Sequence, residues 1–91
     1  MSTRQATVDG RSYAVTPPRE AALRAMARIH PTGAHVSNET SIDRGYVHWK
    51  IANWLHQQGL AIPSGFEVVA LSARGCALAR ELDIALPETV G

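Results

Sequence analysis

The sequence contains a single cysteine, Cys76, so no internal disulfide can form. No apolar run is long enough to cross a bilayer. The first residues, MSTRQATVDG, lack the apolar stretch of a secretory signal, and a cytoplasmic protein is the expectation. The net charge is only +1, which excludes a strongly basic nucleic-acid footprint. There is no glycine-rich phosphate loop, no internal repeat and no low-complexity segment. The histidines, His30, His35, His48 and His56, include no pair at i,i+4 and are joined by one cysteine. A structural zinc site, with about four ligands, is therefore not expected. No cofactor is expected either. Ser41, Asp43 and His48 are close in sequence, but a catalytic triad is defined by geometry rather than by proximity along the chain. No enzymatic activity is expected. Cys76 follows Gly75 beside an apolar stripe and reads as a small buried apolar group.

What remains is a 91-residue chain, enough for one domain with one modest core, 1–91. Its charge is unevenly spread. Residues 1–50 carry seven Arg or Lys against four Asp or Glu, and residues 51–91 carry two against four. A local basic face built from the first half is compatible with this, and so is a solvated surface of mixed charge.

Residues 4–15, RQATVDGRSYAV, predict a β-hairpin turning at Asp9-Gly10, where positive φ is needed. Thr16-Pro17-Pro18 predicts a helix start, with Thr16 as cap and the prolines in the first turn. Ala22, Leu23, Met26 and Ile29 then form an apolar stripe, with Arg24 and Arg28 on another, and Pro31 and Gly33 close the helix. Residues 34–45 admit two readings: a short helix capped by Ser37, or a short strand at His35-Val36. From Tyr46 to Gln58 the periodicity predicts a helix, with Val47, Ile51, Trp54, Leu55 and Gln58 in one arc and Gly59 as terminator. Leu60-Ala61-Ile62, a turn at Pro63-Ser64-Gly65, and 66–71 read as a two-stranded unit with Phe66, Val68 and Ala70 on one side. Ser72 caps a last helix running to about Ile84. The tail, 85–91, has little to bury.

The predicted helix 46–58 has a second face. Tyr46, Trp49, Lys50 and Asn53 point away from its apolar arc, with His48 and Gln57 at the edges. Arg44 precedes it. Lys50 and Arg44 suit phosphate or guanine, Asn53 suits adenine, and Tyr46 suits a phosphate oxygen. Arg19, Arg24 and Arg28 are candidates for added backbone contacts. Trp49 is the awkward member. Either the N-terminal hairpin or the tail covers it, or it faces a partner, since tryptophan is enriched at protein interfaces.

Leu55-His-Gln-Gln-Gly59-Leu60, then a β-turn-β, then Leu71-Ser72-Ala-Arg-Gly75, resembles the second half of a winged helix-turn-helix DNA-binding domain of the bacterial or phage regulator type. The likeness spans roughly 16–84. It implies an α+β fold of three to four helices, a two-stranded β-wing, and here an added N-terminal hairpin, 4–15. It also implies double-stranded DNA as partner, a role in transcription regulation, and DNA contacts from Arg44, Tyr46, His48, Trp49, Lys50 and Asn53. A homodimer on a two-fold site is expected, joined through Leu78, Leu82, Ile84 and Leu86 or through the hairpin. Three departures stand out: few apolar anchors in 34–45, a wing without Arg or Lys, and the extra hairpin. The low net charge, the uncharged wing and the outward Trp49 favour a competing expectation, a protein–protein interaction module working through the Trp49 face, such as a small phage-encoded inhibitor of a host enzyme.

Overall fold

The computed structural model describes residues 3–87. It is an α+β structure with three helices and two sheets among those residues. Strands β1 (Arg4–Val8) and β2 (Arg11–Val15) pair antiparallel from Arg4↔Val15 to Val8↔Arg11. Asp9 and Gly10 take φ of 52° and 78°, the turn that the Asp-Gly pair predicts. Alternation places Ala6, Val8, Tyr13 and Val15 on the buried face.

Helix α1 (Pro17–Arg28) begins as expected. The Arg19 N–H donates to Thr16 Oγ1 at 3.4 Å, and the prolines occupy positions whose N–H would have no helical partner. Ala22, Leu23, Ala25, Met26 and Ala27 are all buried. The three alanines let the surrounding elements approach α1 closely, and Leu23 and Met26 fill the core around it. The hairpin rests on α1 and on the last helix. Glu20 fastens it: Arg4 reaches Glu20 at 2.9 Å and Arg24 at 3.3 Å.

The segment 34–45 resolves to the strand reading. Strand β3 (Ala34–Ser37) is followed by a loop, and the chain returns as β4 (Tyr46–His48) parallel to β3, with His35 beside Tyr46 and Ser37 beside His48. Arg28 holds that loop by donating to the carbonyls of Ile42 (3.1 Å) and Asp43 (2.9 Å). The predicted helix 46–58 is thereby corrected. Its first three residues are a strand, and helix α2 runs Trp49–Gln57. Val47 is fully buried, so it satisfied the helical apolar arc while belonging to the sheet.

Helix α2 ends in a Schellman motif. The Gly59 N–H donates to the His56 carbonyl (3.1 Å) and the Leu60 N–H to that of Leu55 (2.8 Å). Gly59 stands at φ +73°, and Leu55 and Leu60 are both fully buried, as the motif's apolar contact requires. Strands β5 (Ala61–Gly65) and β6 (Val68–Leu71) follow, and the second sheet has the order β4-β3-β6-β5. Its wing-like hairpin thus belongs to a four-stranded sheet. The expected turn at 63–65 is displaced: Pro63 pairs with Val69, Gly65 with Val68, and the tip is Phe66-Glu67. Phe66 therefore lies at the tip rather than on a strand face.

Helix α3 (Ala73–Glu81) stops before the expected Ile84. Ser72 caps it by accepting from the Gly75 N–H (3.1 Å) and also donates to the Gly59 carbonyl (2.6 Å), tying the start of α3 to the end of α2. The helix closes with the Asp83 N–H donating to the Arg80 carbonyl and the Ile84 N–H to that of Ala79. Asp83 holds φ +59° there, a left-handed conformation that costs a residue with a Cβ. Asp83→Gly is expected to raise stability by about 0.5–1 kcal/mol, read from the urea midpoint. A lowered midpoint would show that the Asp83 side chain contributes more than its backbone costs. Of the predicted tail, Ala85, Leu86 and Pro87 carry no regular structure, and 88–91 lie outside the described residues.

Candidate nucleic-acid interface

Three of the sequence-selected residues share one surface. Trp49 and Lys50 occupy the first turn of α2, and Asn53 follows at i+4 and i+3, so all three lie on neighbouring rows of the helix. All are exposed, whereas Ala52 and Leu55 on the opposite side are buried. The Lys50 ammonium lies 5.6 Å from the Trp49 ring centroid. Among the described residues it has no carboxylate within 4 Å.

The other three are placed differently. Tyr46 and His48 belong to β4, not to a helix. Tyr46 is half-buried, exchanges backbone hydrogen bonds with Ser41 (2.9 and 3.0 Å), and meets the His35 ring edge-on at 6.2 Å. His48 caps α2, its Nδ1 accepting from the Lys50 N–H at 3.1 Å, and its ring stacks on Trp49 with centroids 5.8 Å apart. Arg44 is exposed in the loop before β4, with its N–H donating to Ser41 Oγ at 3.3 Å. Like Lys50, it has no acidic partner among the described residues.

Trp49 is not core. It is 46% exposed, and the N-terminal hairpin packs on α1 and α3 instead of over it. It forms one wall of a shallow cleft of about 390 Å³, with Val36, Ser37, Asn38 and Glu67. Trp54, by contrast, is half-buried with the Arg19 guanidinium 4.0 Å above its ring. The additional cations suggested on α1 are thus already engaged: Arg19 by Trp54 and the Ala14 carbonyl, Arg24 by Glu20, Arg28 by the 42–43 carbonyls.

Phe66 was absent from the expected site. It is 90% exposed at the β5–β6 tip, and Ile62 on β5 is 52% exposed. A tip residue is recognisable only once the turn is placed, and the Pro-Ser-Gly run drew the turn to the wrong residues. The dimer contacts expected from the last helix are also corrected. Leu78, Leu82 and Ile84 are buried within the chain's own core and Leu86 packs against it. The hairpin's apolar face is consumed in the same way.

Two titrating groups depart from their ordinary behaviour. The Cys76 thiol, 3.5 Å from His30 Nε2, is pushed up by burial, against a smaller pull from Arg80, as suits a buried apolar cysteine. Glu20 is held below the ordinary carboxylate range, chiefly by the Arg4 hydrogen bond; partial burial opposes this and Arg24 reinforces it. A depressed carboxyl stabilises the fold above its unfolded-state pKa, and that contribution disappears as pH falls through the lower folded-state value. Glu20→Gln is therefore expected to cost about 0.5–1 kcal/mol at neutral pH, shrinking in high salt because the partners are solvent-accessible. The gap to wild type should close in acid. A gap that persists at all pH values would assign the loss to packing rather than charge.

Comparison of the chain with protein-family models, curated proteins and solved structures finds no match.

Proposed function

We propose that this protein binds double-stranded DNA in the manner of a small winged-helix regulator, with α2 entering the major groove. The observation that carries the reading is the exposed Trp49–Lys50–Asn53 face of α2, set opposite the buried Ala52–Leu55 side. A helix fits the major groove, where an asparagine can read adenine and a lysine can reach guanine or phosphate. The order of elements around it supports the reading: helix α1, strand β3, helix α2, then the β5–β6 hairpin paired back onto β3. A loop and β4 occupy the place where a helix-turn-helix has its other helix, so α2 is braced by a strand and not by a second helix.

On α2 and the loop before β4, Arg44 and Lys50 supply cations without an acidic partner among the described residues, and few phosphate contacts mean modest affinity for a single copy. Fluorescence anisotropy with labelled duplex DNA tests this. Binding is expected to fall steeply with salt, with a log–log slope that drops by about 0.9 for each phosphate-contacting cation removed in Lys50→Ala or Arg44→Ala. Flat salt dependence, or no binding at low salt, would refute it.

A protein partner is the second reading. Its support is the pair of exposed aromatics, Trp49 and Phe66, together with a wing that carries no Arg or Lys. Exposed aromatics of this kind anchor protein interfaces. Trp49→Ala separates the two readings. It should leave the salt slope on DNA intact if α2 reads DNA through Lys50 and Asn53, and should abolish binding where a protein is the ligand.

A further inference from the structure

The residue capping α2 is a histidine, at a position where Ser, Thr, Asp or Asn is usual. The cap is made by the ring: the Lys50 backbone N–H donates to His48 Nδ1 at 3.1 Å. A backbone N–H can only donate. Nδ1 must therefore present its lone pair, and the proton of the neutral ring resides on Nε2. An imidazolium carries N–H at both nitrogens and accepts nothing. Histidine is also the side-chain type whose charge changes close to neutral pH. We infer that His48 is a proton-operated cap: proton uptake at Nδ1 breaks the bond to Lys50 and releases the first turn of α2, which carries Trp49 and Lys50.

The surroundings reinforce this direction. An imidazolium at this position would lie at the positive end of the α2 dipole. The first turn contains no acidic residue. Lys50 adds a like charge. On β3 the register partner is Ser37, which is neutral, and the titratable neighbour on that strand is His35, whose ring packs on Tyr46. In the loop, Thr40 Oγ1 accepts from the His48 N–H at 3.0 Å, with Glu39 next to it in sequence. On α1, which packs on β4, Arg24 is held by Glu20 and Arg28 by the loop carbonyls. Among the described residues no carboxylate oxygen lies within 4 Å of the His48 ring. Glu67 lines the cleft on which Trp49 borders, but among the described residues no carboxylate is placed to pair directly with the charged ring.

The His48 backbone is fixed between Thr40 and the β3 pairing, so it cannot follow the ring outward. The change is confined to the ring and the turn it caps. Loss of a cap shifts the local opening equilibrium by about fivefold, and a cation at a helix N-terminus adds about twofold. Opening displaces Lys50 and unstacks Trp49 from the ring. The switch is a property of the chain itself and stands independently of any DNA partner.

An NMR pH titration of the full chain, following imidazole ¹⁵N shifts and amide exchange protection, tests it. Above the His48 titration, as read from its own ring shifts, the Nε2–H tautomer and a protected Lys50 amide are expected. Across that titration Lys50 protection should fall about tenfold, the combined effect of cap and dipole, and should not follow the rings of His30, His35 or His56. His48→Asn should keep the protection and remove the pH step, because an amide oxygen caps without titrating. An Nδ1–H tautomer, Lys50 protection indifferent to the His48 proton, or a step that survives in H48N would each overturn the inference. If H48N does not fold, the wild-type tautomer and titration decide alone.

Discussion

Gly75→Ala is expected to destabilise this protein by about 3 kcal/mol or more, at the upper end of overpacking effects in cores. A Cβ at Gly75 would lie 2.0 Å from the Leu60 carbonyl oxygen and 3.0 Å from its carbon. Both are backbone atoms and cannot rotate away. Leu60 cannot retreat easily either. Its N–H is bonded to the Leu55 carbonyl and its own carbonyl accepts from the Ser72 N–H at 3.0 Å. The methyl must therefore push α3 off the junction where α2, β5 and α3 meet. At about 4–8 °C per kcal/mol for a domain of this size, the melting temperature should fall by more than about 10 °C. Gly10→Ala is the control. Nothing lies within 4 Å of its Cβ position, and only its φ of 78° is strained, so it should lose about 1 kcal/mol. Similar losses at the two sites would show that the close approach at Gly75 does not limit stability.

Leu55→Ala carries the second large effect, an expected loss of about 2–5 kcal/mol. Leu55 is fully buried and is the residue of α2 that both fills the core and accepts the Leu60 hydrogen bond ending the helix. Helix α2 has nine residues, well below the roughly 12–15 at which an isolated helix becomes even marginal. Its order depends on docking. Removing Leu55 should therefore weaken the fold and loosen the Trp49–Lys50–Asn53 face together, visible in urea denaturation and in amide exchange along α2. Asn53→Ala, two residues away on the solvent side, should stay within about 0.5 kcal/mol of wild type while reducing binding if α2 reads DNA. A stable Leu55→Ala variant, or an unstable Asn53→Ala one, would reverse the inside and outside faces of α2.

These residues also show why the sequence was readable in some places and not in others. Asp9-Gly10, Thr16-Pro17-Pro18, Gly59-Leu60 and Ser72 each act within a few residues, through a required φ, a missing N–H or a cap. Their structures appear where local chemistry puts them. The Leu71-Ser-x-x-Gly75 spacing was legible too, but its reason was not. Gly75 is required by the Leu60 backbone, a neighbour fifteen positions earlier in the chain. Tyr46–His48 misled because Val47 is buried at a helical distance from Ile51 and also at the right place on a strand. Only pairing with β3 distinguishes the two. The shift of the β5–β6 turn has the same origin. Pro63 and Gly65 favour a turn locally, yet their pairing with Val69 and Val68 keeps them in the sheet and leaves Phe66 at the tip.

The sequence by itself determined an α+β fold, the N-terminal hairpin, the existence of α1, α2 and α3 and the Lys50–Asn53 spacing on α2, because propensity, capping and apolar period are local and act before any contact between distant segments. Tertiary structure alone decided that Tyr46 and His48 are strand residues, that Arg19, Arg24 and Arg28 are engaged inside the molecule, and that the apolar residues of α3 are spent on its own core. It also decided Trp49. Exposure is a property of what other segments leave uncovered, and the hairpin, one of the two candidate covers, packs on α1 and α3 instead; residues 88–91 of the other, the tail, lie outside the described residues.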